Sequence, residues 1–452
     1  MESIEDEQAP FYDFLCIGGG VAAGYWAQEL VSKLGISEQT EHKPRIGIVS
    51  PYPKRLAPYE RPALSKACLD PEKKGLRNFL EMPELDDGSH VEEDPSPPAQ
   101  TFPWTTLGTG GKAHGSDWYD ALGIEILYQT TAINLDLDKK IVTVEEEING
   151  AAAKAYEVEF NQVLVATGCR ARRLGAGASL GLGAADGVFR PGRCHPQLEV
   201  RDGLGYAPKT AGAFGFGSVH ALRDLGDAVE LGAAMARVES DSQETCRDPA
   251  VVVGGGFVGF EAACALAGHC PDHGVTLVLS QDHIFPGFFN EEMANFYETE
   301  MVRKGIRFAR NYKVERLWPT DETGEFVTLD GPGMALGPTL PRWFGRCPAE
   351  FHPCRGVVLA HTETGAEARL AARYVVAGVG GRPNTELAQK AGLALSPDTG
   401  GIIVDGQMRT AHPSGCVFAA GDVAHFPNAC RGDDGNDDAA AAGRDEHVAA
   451  AR

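Results

Sequence analysis

The chain carries two glycine-rich turns with the same internal spacing, and each turn follows a short apolar run. The turns are IGGGVAAG and VGGGFVGF, in which the three spaced positions are Gly18, Gly20 and Ala23, then Gly254, Gly256 and Gly259. In this spacing the first glycine permits a tight turn, and the second lets the backbone approach a pyrophosphate. The small third residue lets a helix meet a strand. The sequence therefore predicts two dinucleotide sites.

The residues around each turn strengthen this prediction. The first turn ends the β-rich run Phe11–Gly20 and leads into a helix closed by Gly35, with a second strand over Arg45–Ser50. The second turn, in Ala250–Glu261, leads into a helix and then a strand over Val275–Ser280. One such fingerprint is weak evidence, but two in strand–turn–helix–strand context are strong. They predict an α/β fold with two Rossmann-like dinucleotide-binding domains.

Three later runs resemble strands that end in glycine. They are Gln162–Gly168, Tyr374–Asn384 and Cys416–Pro427. The last of them delivers Gly421 and Asp422, which can offer a carboxylate and a helix-start amide to a polyol or a pyrophosphate.

Composition excludes several classes of partner. A formal net charge of −22 disfavours general binding to nucleic acid or to an anionic membrane, because both would be repelled. No apolar run reaches the ~18 residues that span a bilayer. The acidic N-terminus has no secretory pattern, and the 11 cysteines include no C-x-x-C pair, which favours a reducing compartment. A cytoplasmic protein is expected.

The order of these segments resembles that of the monodehydroascorbate reductases of plants and algae, in the glutathione-reductase-like class of flavoproteins. The stretches that carry the resemblance are GGGVAAGYWA at 18–27, APYERPALSK at 57–66, GTGG at 108–111, AGVGGRPN at 377–384, GDVAHFP at 421–427 and EHVAAAR at 446–452. The ERPALSK stretch is also found in flavoproteins similar to apoptosis-inducing factor, so it indicates the broad group better than the enzyme.

The resemblance implies an FAD domain interrupted by an NAD(P) domain, with a β-meander added to each. The implied boundaries are 11–171 for the first part of the FAD domain, 172–376 for the NAD(P) domain and 377–452 for the second part of the FAD domain. The C-terminal interface domain of the family is expected to be missing from the chain. The oligomeric state stays open, with a monomer expected.

The resemblance also assigns roles to single residues. For FAD binding these are Gly18, Gly20, Val21, Ala22, Ala23, Arg61, Lys66, Thr167, Gly168, Asp422, Glu446 and His447. For NAD(P) binding they are Gly254, Gly256, Phe257, Val258, Gly259, Gln281 and Gly380. Arg452 would bind the anionic substrate, and no metal is expected. Cys347, His352 and Cys354 lie in a proline-rich insertion without the second pair that zinc needs.

The stretch APYERPALSK is too polar to predict a core segment. Its two prolines stiffen a loop that could hold the cations of Arg61 and Lys66 near a pyrophosphate at a small cost in ordering entropy. The proline- and glycine-rich insertions, among them Asp330–Gly356, are expected to be surface loops.

The activity implied is reduction of the monodehydroascorbate radical by NADH or NADPH through FAD, with no catalytic side chain beyond the flavin. A disulfide substrate is disfavoured, because Cys68 stands alone where a reactive pair would be needed. Gln281 replaces a Glu of the family, which removes a repulsion toward NADPH, and Gly287 replaces an Arg, which removes an attraction to its 2′-phosphate. NADH is expected as the donor. The alternatives are a ferredoxin-reductase-like enzyme, a flavoprotein similar to apoptosis-inducing factor, and a poorly active flavin-binding fragment.

Overall fold

The fold is described from a computed structural model. It describes residues 9–52, 56–61, 64, 113–148, 151–172, 219–225, 227–228, 231, 250–269, 274–319, 334–335, 354–372 and 374–426. The helices in these ranges are α1 (Val21–Leu34), α2 (Ser116–Leu122), α3 (Phe257–His269), α4 (Glu291–Arg303) and α5 (Glu386–Lys390).

The strands alternate with the helices in the order expected of nucleotide-binding units. The first eight are β1 (Phe11–Ile17), β2 (Ile46–Val49), β3 (Ile124–Leu127), β4 (Thr130–Asp136), β5 (Ile141–Ile148), β6 (Ala151–Val165), β7 (Cys169–Ala171) and β8 (Val219–His220). The next six are β9 (Ala250–Val253), β10 (Val275–Val278), β11 (Ile306–Ala309), β12 (Tyr312–Pro319), β13 (Met334–Ala335) and β14 (Cys354–His361). The last six are β15 (Glu367–Ala371), β16 (Tyr374–Ala377), β17 (Gly381–Pro383), β18 (Ile402–Ile403), β19 (Val417–Ala419) and β20 (Ala424–His425).

The first sheet is parallel where it meets the first glycine turn. β1 lies between β2 and β6, and β3 extends the sheet beyond β2. The last residues of β6 pair with β1 on one side and with β19 on the other. The first half of β6 forms an antiparallel meander with β5 and β4. Buried apolar side chains cover both faces of this sheet, as a parallel sheet requires.

The second sheet has the order β13-β11-β10-β9-β16-β8 and is parallel except for β13. The three strands β12, β14 and β15 form a separate antiparallel meander beside it. Two parallel sheets, each accompanied by a meander, confirm the predicted fold class. The domain boundaries given above stay predictions.

Most predicted elements are present, and the differences lie at their ends. Both predicted helices after the glycine turns form, and α1 ends at Gly35, which has a φ of 63°. The strand predicted to begin at Gln162 begins at Ala151, because its first half pairs with β5. The predicted surface loop Asp330–Gly356 is wrong at two places, since Met334–Ala335 is β13 and Cys354–Gly356 opens β14.

The loop around Arg61 contradicts the prediction that it is too polar for the core. Leu56, Ala57, Tyr59 and Leu64 are at most 2% exposed. Leu56, Tyr59 and Leu64 belong to one apolar cluster with side chains of the second sheet and α3, whereas Ala57 packs in a cluster of the first sheet. The loop therefore joins the first sheet to the second unit. The charged residues of the stretch obscured the apolar residues between them, several of which pack against the second unit.

A hydrogen-bonded junction beside the first sheet centres on Asn384, which is 8% exposed. Its Nδ2 donates to the carbonyl oxygen of Thr167 at 2.9 Å, and Nη1 of Arg170 donates to its Oδ1 at 2.8 Å. The hydroxyl of Thr167 donates to the backbone carbonyl oxygen of Asn384 at 2.7 Å. These bonds hold the turn after β6 against the segment after β17.

Replacing Asn384 by alanine should therefore destabilise the protein. The substitution leaves a buried carbonyl and a partly buried guanidinium short of a partner, which costs about 1–3 kcal/mol. Urea unfolding should show a lower midpoint for Asn384→Ala. The exposed Asn295→Ala is the control, with an expected change within about 0.5 kcal/mol. Equal midpoints for the two variants would contradict a structural role for the Asn384 side chain.

Candidate functional site

The first glycine turn is held by close backbone contact. Gly18 has a φ of 128°, and a Cβ added to it would lie 2.2 Å from the carbonyl oxygen of Ala166, just after β6. Both facts require glycine at this position. Ala23 is fully buried and Gly20 precedes α1 as its N-cap. The turn thus brings the start of α1 to the carboxyl end of the parallel strands.

The second turn repeats this contact in the other sheet. Gly254 has a φ of 110°, and a Cβ on it would lie 2.2 Å from the carbonyl oxygen of Gly378, just after β16. A Cβ on Gly259 would lie 1.9 Å from the carbonyl oxygen of Gly254. Neither α1 nor α3 carries an acidic residue in its first turn. Both helix starts therefore keep the positive potential that attracts phosphate.

Two arginines meet beside the first turn. A Cβ on Gly168 would lie 3.6 Å from Nη1 of Arg61 and 3.7 Å from Nη2 of Arg223. A Cβ on Gly20 would lie 3.6 Å from Nη2 of Arg61. The guanidinium of Arg61 therefore stands between the start of α1 and the end of β6, where an anion on the helix start would also lie.

Arg61 keeps its charge and lacks one partner. Burial works to lower the pKa of its guanidinium, but Tyr52, Tyr59, Asp224 and Asp422 outweigh it and the pKa is raised. Its Nη2 donates to the hydroxyl of Tyr52. Its buried Nε has no hydrogen-bond partner among the described residues. A buried charged donor of this kind calls for an acceptor.

Asp422 occupies the other side of the site. Its Oδ2 forms a partly buried ion pair with Nη2 of Arg223 and accepts a hydrogen bond from Sγ of Cys169 at 3.3 Å. Nε of Arg223 donates to the carbonyl oxygen of Cys169 at 2.7 Å. A Cβ on Gly421 would lie 3.0 Å from the Cβ of Ala22, so the backbone that carries Asp422 lies next to the first turn of α1.

Cys169 is a hydrogen-bond donor in this site and not a nucleophile. The side chain is 5% exposed, and burial first, with Asp422 adding to it, raises the pKa of the thiol to about 12. The thiol is therefore protonated at neutral pH. The four cysteines for which a state is described, Cys16, Cys169, Cys264 and Cys416, are all free.

The second site lies between α3 and the end of β10. Gln281 and Asp282 follow β10 and are exposed, and Asp282 accepts a hydrogen bond from Nδ2 of Asn311 at 2.7 Å. The loop Gln281–Asn290 contains no lysine or arginine. Gly380 lies in the turn between β16 and β17, with a φ of 93°, and accepts from the backbone N–H of Arg172.

The structure thus brings together many of the residues predicted for FAD. Gly18, Gly20, Val21, Ala22, Ala23, Arg61, Thr167, Gly168 and Asp422 surround the first turn. Lys66, Glu446, His447 and Arg452 lie outside the described residues. Phe257 and Val258 open α3 at the second turn.

Sequence reasoning missed Arg223 and Cys169. Arg223 follows β8, and β8 pairs with β16, which carries the arginine to the boundary between the two sheets. No local motif marked it, because its partner Asp422 is 199 residues away in the chain. Cys169 directly follows the predicted strand-end glycine, so its position was available from the sequence but its partner was not.

The described residues give no sign of a metal centre or a membrane span. Within these ranges no group of three or more His, Cys, Asp or Glu side chains lies close enough to hold a metal ion. None of the helices in the same ranges is long and apolar enough to cross a bilayer.

Comparison with known sequences supports the resemblance predicted above. The chain is 28% identical over 416 residues to the chloroplastic/mitochondrial monodehydroascorbate reductase of Arabidopsis thaliana, covering 92% of this chain and 60% of that protein. It is 27% identical over 416 residues to the monodehydroascorbate reductase of Pisum sativum, covering 92% and 69%. The predicted resemblance is confirmed, and the chain spans 60–69% of the length of these two relatives.

Solved structures share the fold at lower identity. A covalent putidaredoxin reductase–putidaredoxin complex has a TM-score of 0.55 at 19% identity, covering 93% of this chain and 70% of that chain. A ferredoxin reductase from Rhodopseudomonas palustris has a TM-score of 0.55 at 21% identity, covering 92% and 70%. These likenesses concern the fold alone.

A family model described as pyridine nucleotide-disulphide oxidoreductase matches residues 12–334 and 344–448. The match includes both glycine turns, Arg61, Arg223 and Asp422. The cofactor prediction, FAD with NADH or NADPH as the electron donor, is confirmed at the level of this family. The chain belongs to the pyridine nucleotide-disulphide oxidoreductase family.

Proposed function

We propose that this chain uses NADH to reduce the monodehydroascorbate radical to ascorbate through bound FAD. The observation that carries the flavin part is the position of Arg61, which lies near Gly20 at the start of α1 and near Gly168 after β6, where it meets Arg223 and its partner Asp422. The choice of acceptor is supported by the named relatives and by the free cysteines of the described residues. Since the chain spans only part of those relatives, the activity of the whole protein is part of the proposal.

The residues present fit FAD at both of its polar parts. Its pyrophosphate would lie on the start of α1 and give the buried Nε of Arg61 the acceptor it lacks. Asp422 has the acceptor oxygens that the hydroxyls of a ribityl chain need, and its place beside Ala22 brings them to the same helix start. Arg223 and the thiol of Cys169 would hold that carboxylate in position.

The redox chemistry comes from bound FAD, whose ring system accepts a hydride from a nicotinamide and passes electrons on singly. The side chains of this chain bind and orient. Arg61 and Arg223 would offset the phosphate charge, and Asp422, paired with Arg223, would orient the hydroxyls. Cys169 stays protonated, so we assign it no covalent step.

The loop after β10 supports NADH as the donor. In such units an acidic or polar residue after the second strand binds the adenosine ribose, and an arginine nearby accepts a 2′-phosphate. Here Gln281 offers an amide, Asp282 repels phosphate, and no cation lies in the loop Gln281–Asn290. Gly287 has a φ of 92°, a conformation that an arginine adopts only under strain.

Compartment and assembly remain predictions. The relatives include proteins named chloroplastic/mitochondrial, cytosolic and peroxisomal, and cytoplasmic placement is kept here on the cysteine pattern alone. A monomer is kept as the expectation. Reduction of a ferredoxin and binding of flavin without turnover are the alternatives that the first experiment separates.

The proposal predicts that turnover depends on the radical. The purified, FAD-loaded chain should oxidise NADH, followed at 340 nm, only while ascorbate and ascorbate oxidase generate the radical in the cuvette. Omitting the oxidase is the control, and Arg452→Ala should reduce the rate if Arg452 binds the anionic radical.

Three other outcomes would contradict the proposal. A flavin that NADH does not reduce would refute the oxidoreductase. A flavin that NADH reduces, without any radical-dependent rate, would refute the acceptor and favour a flavin-binding protein. Turnover with a ferredoxin in place of the radical would favour the ferredoxin-reductase-like alternative.

The proposal also predicts that Arg61 contributes to the affinity for FAD. Replacing it by methionine keeps the length of the side chain but removes a charged donor, which costs about 1.5–3 kcal/mol of binding. FAD should bind Arg61→Met about tenfold or more weakly, measured by titrating the apoprotein and following flavin fluorescence. The control Arg409→Met removes an exposed guanidinium that pairs with Asp405. Equal FAD affinities would show that Arg61 does not face the phosphates.

The proposal further predicts that the residue at position 281 affects the choice between NADH and NADPH. Gln281→Arg should improve kcat/KM for NADPH about tenfold or more, because it places a cation after β10 where a 2′-phosphate would lie. The NADH value should change little. Replacing Thr299 by arginine, on the exposed side of α4, is the control. An NADPH preference already present in the unaltered chain would contradict the assignment of NADH.

A further inference from the structure

An aromatic cluster joins the second glycine turn to the loop after β10. The ring of Phe257, the first residue of α3, lies 4.6 Å from that of Phe285 and 5.8 Å from that of Phe288. Phe285 is 4% exposed, whereas Phe257 is 38% and Phe288 is 55% exposed. Phe257 and Phe288 therefore form an exposed aromatic surface directly beside a nucleotide fingerprint, where aromatic rings can stack on a base.

The backbone fixes this cluster to the turn. The N–H of Phe285 donates to the carbonyl oxygen of Gly255 at 2.8 Å. A Cβ on Gly255 would lie 3.5 Å from the Cα of Ile284, so the loop rests directly on the fingerprint. The loop therefore holds Phe288 next to the start of α3, although its side chain is exposed.

The path of a dinucleotide locates its base relative to this cluster. The pyrophosphate lies on the start of the helix after the turn, and the adenosine ribose lies at the end of the second strand. In this chain those points are the start of α3 and Gln281. The base beyond the ribose then lies over the loop that follows β10, which is the loop that carries Phe285 and Phe288.

The acidic side chains around the loop after β10 favour an uncharged ring as its ligand. Asp282 lies on the same loop, and Glu291 and Glu292 open α4 just beyond it, all three with exposed side chains. These carboxylates repel a phosphate group and tolerate an uncharged base. An exposed aromatic ring with a second aromatic ring packed against it offers a stacking surface.

We propose that Phe288, supported by Phe257 and Phe285, stacks on the adenine ring of the bound pyridine nucleotide. The inference rests on the proposed use of NADH at the second turn and adds the group that holds the base. Phe288 is a binding residue in this proposal and takes no part in hydride transfer.

The test compares Phe288→Ala with Phe296→Ala. Phe296, on α4, is 62% exposed and contacts the ring of Tyr297, so it matches Phe288 in type and exposure. Calorimetry with ADP-ribose should show about tenfold weaker binding to Phe288→Ala and unchanged binding to Phe296→Ala. Phe288→Trp should retain the affinity. Flavin reduction by reduced nicotinamide mononucleotide, which has no adenine, should proceed equally in all variants.

The outcomes separate this inference from the proposed function. If the unaltered chain binds neither ADP-ribose nor NADH, the nucleotide site itself is refuted and the stacking role with it. If the unaltered chain binds ADP-ribose and Phe288→Ala binds it equally well, only the stacking role is overturned. Equal losses in Phe288→Ala and Phe296→Ala would also overturn it, because the effect would then belong to the whole aromatic surface.

Discussion

The whole arrangement depends on a backbone contact that occurs twice. Gly18 presses against the carbonyl oxygen of Ala166, and Gly254 presses against that of Gly378, each at a distance that excludes a Cβ. The contact brings a helix start to the ends of the central strands, where two N–H groups and a positive potential can meet phosphate. Because both sheets use this contact, the two glycine turns share a backbone geometry suited to an anion, and the side chains around them differ.

Those side chains decide which ligand each site suits. The first site has two guanidinium groups and a carboxylate within reach of the helix start, and all three come from segments far apart in the chain. The second has aromatic rings and carboxylates, with no cation in the loop after β10. These differences are the basis for proposing FAD at the first turn and a pyridine nucleotide, held partly by its base, at the second.

Local patterns in the sequence were enough for the fold class and for the glycines, since the spacing of three small residues is itself the geometric requirement. α3 forms directly after the second glycine turn, as predicted. Arg223 could not be found in this way, because its role depends on the pairing of β8 with β16 and on a carboxylate near the other end of the chain. The first half of β6 was missed for a similar reason, since it is a strand only through its pairing with β5.

The loop around Arg61 shows why polarity alone misleads. The sequence suggested that two prolines hold this loop rigid, whereas the structure buries Leu56, Tyr59 and Leu64 in a cluster with the second sheet. The hydroxyl of Tyr59 also accepts the N–H of Leu225, two residues after Arg223. Packing therefore fixes both guanidinium groups of the first site from the side of the second unit. The positions of the two cations thus depend on contacts between segments far apart in the chain, which no local pattern in the sequence marks.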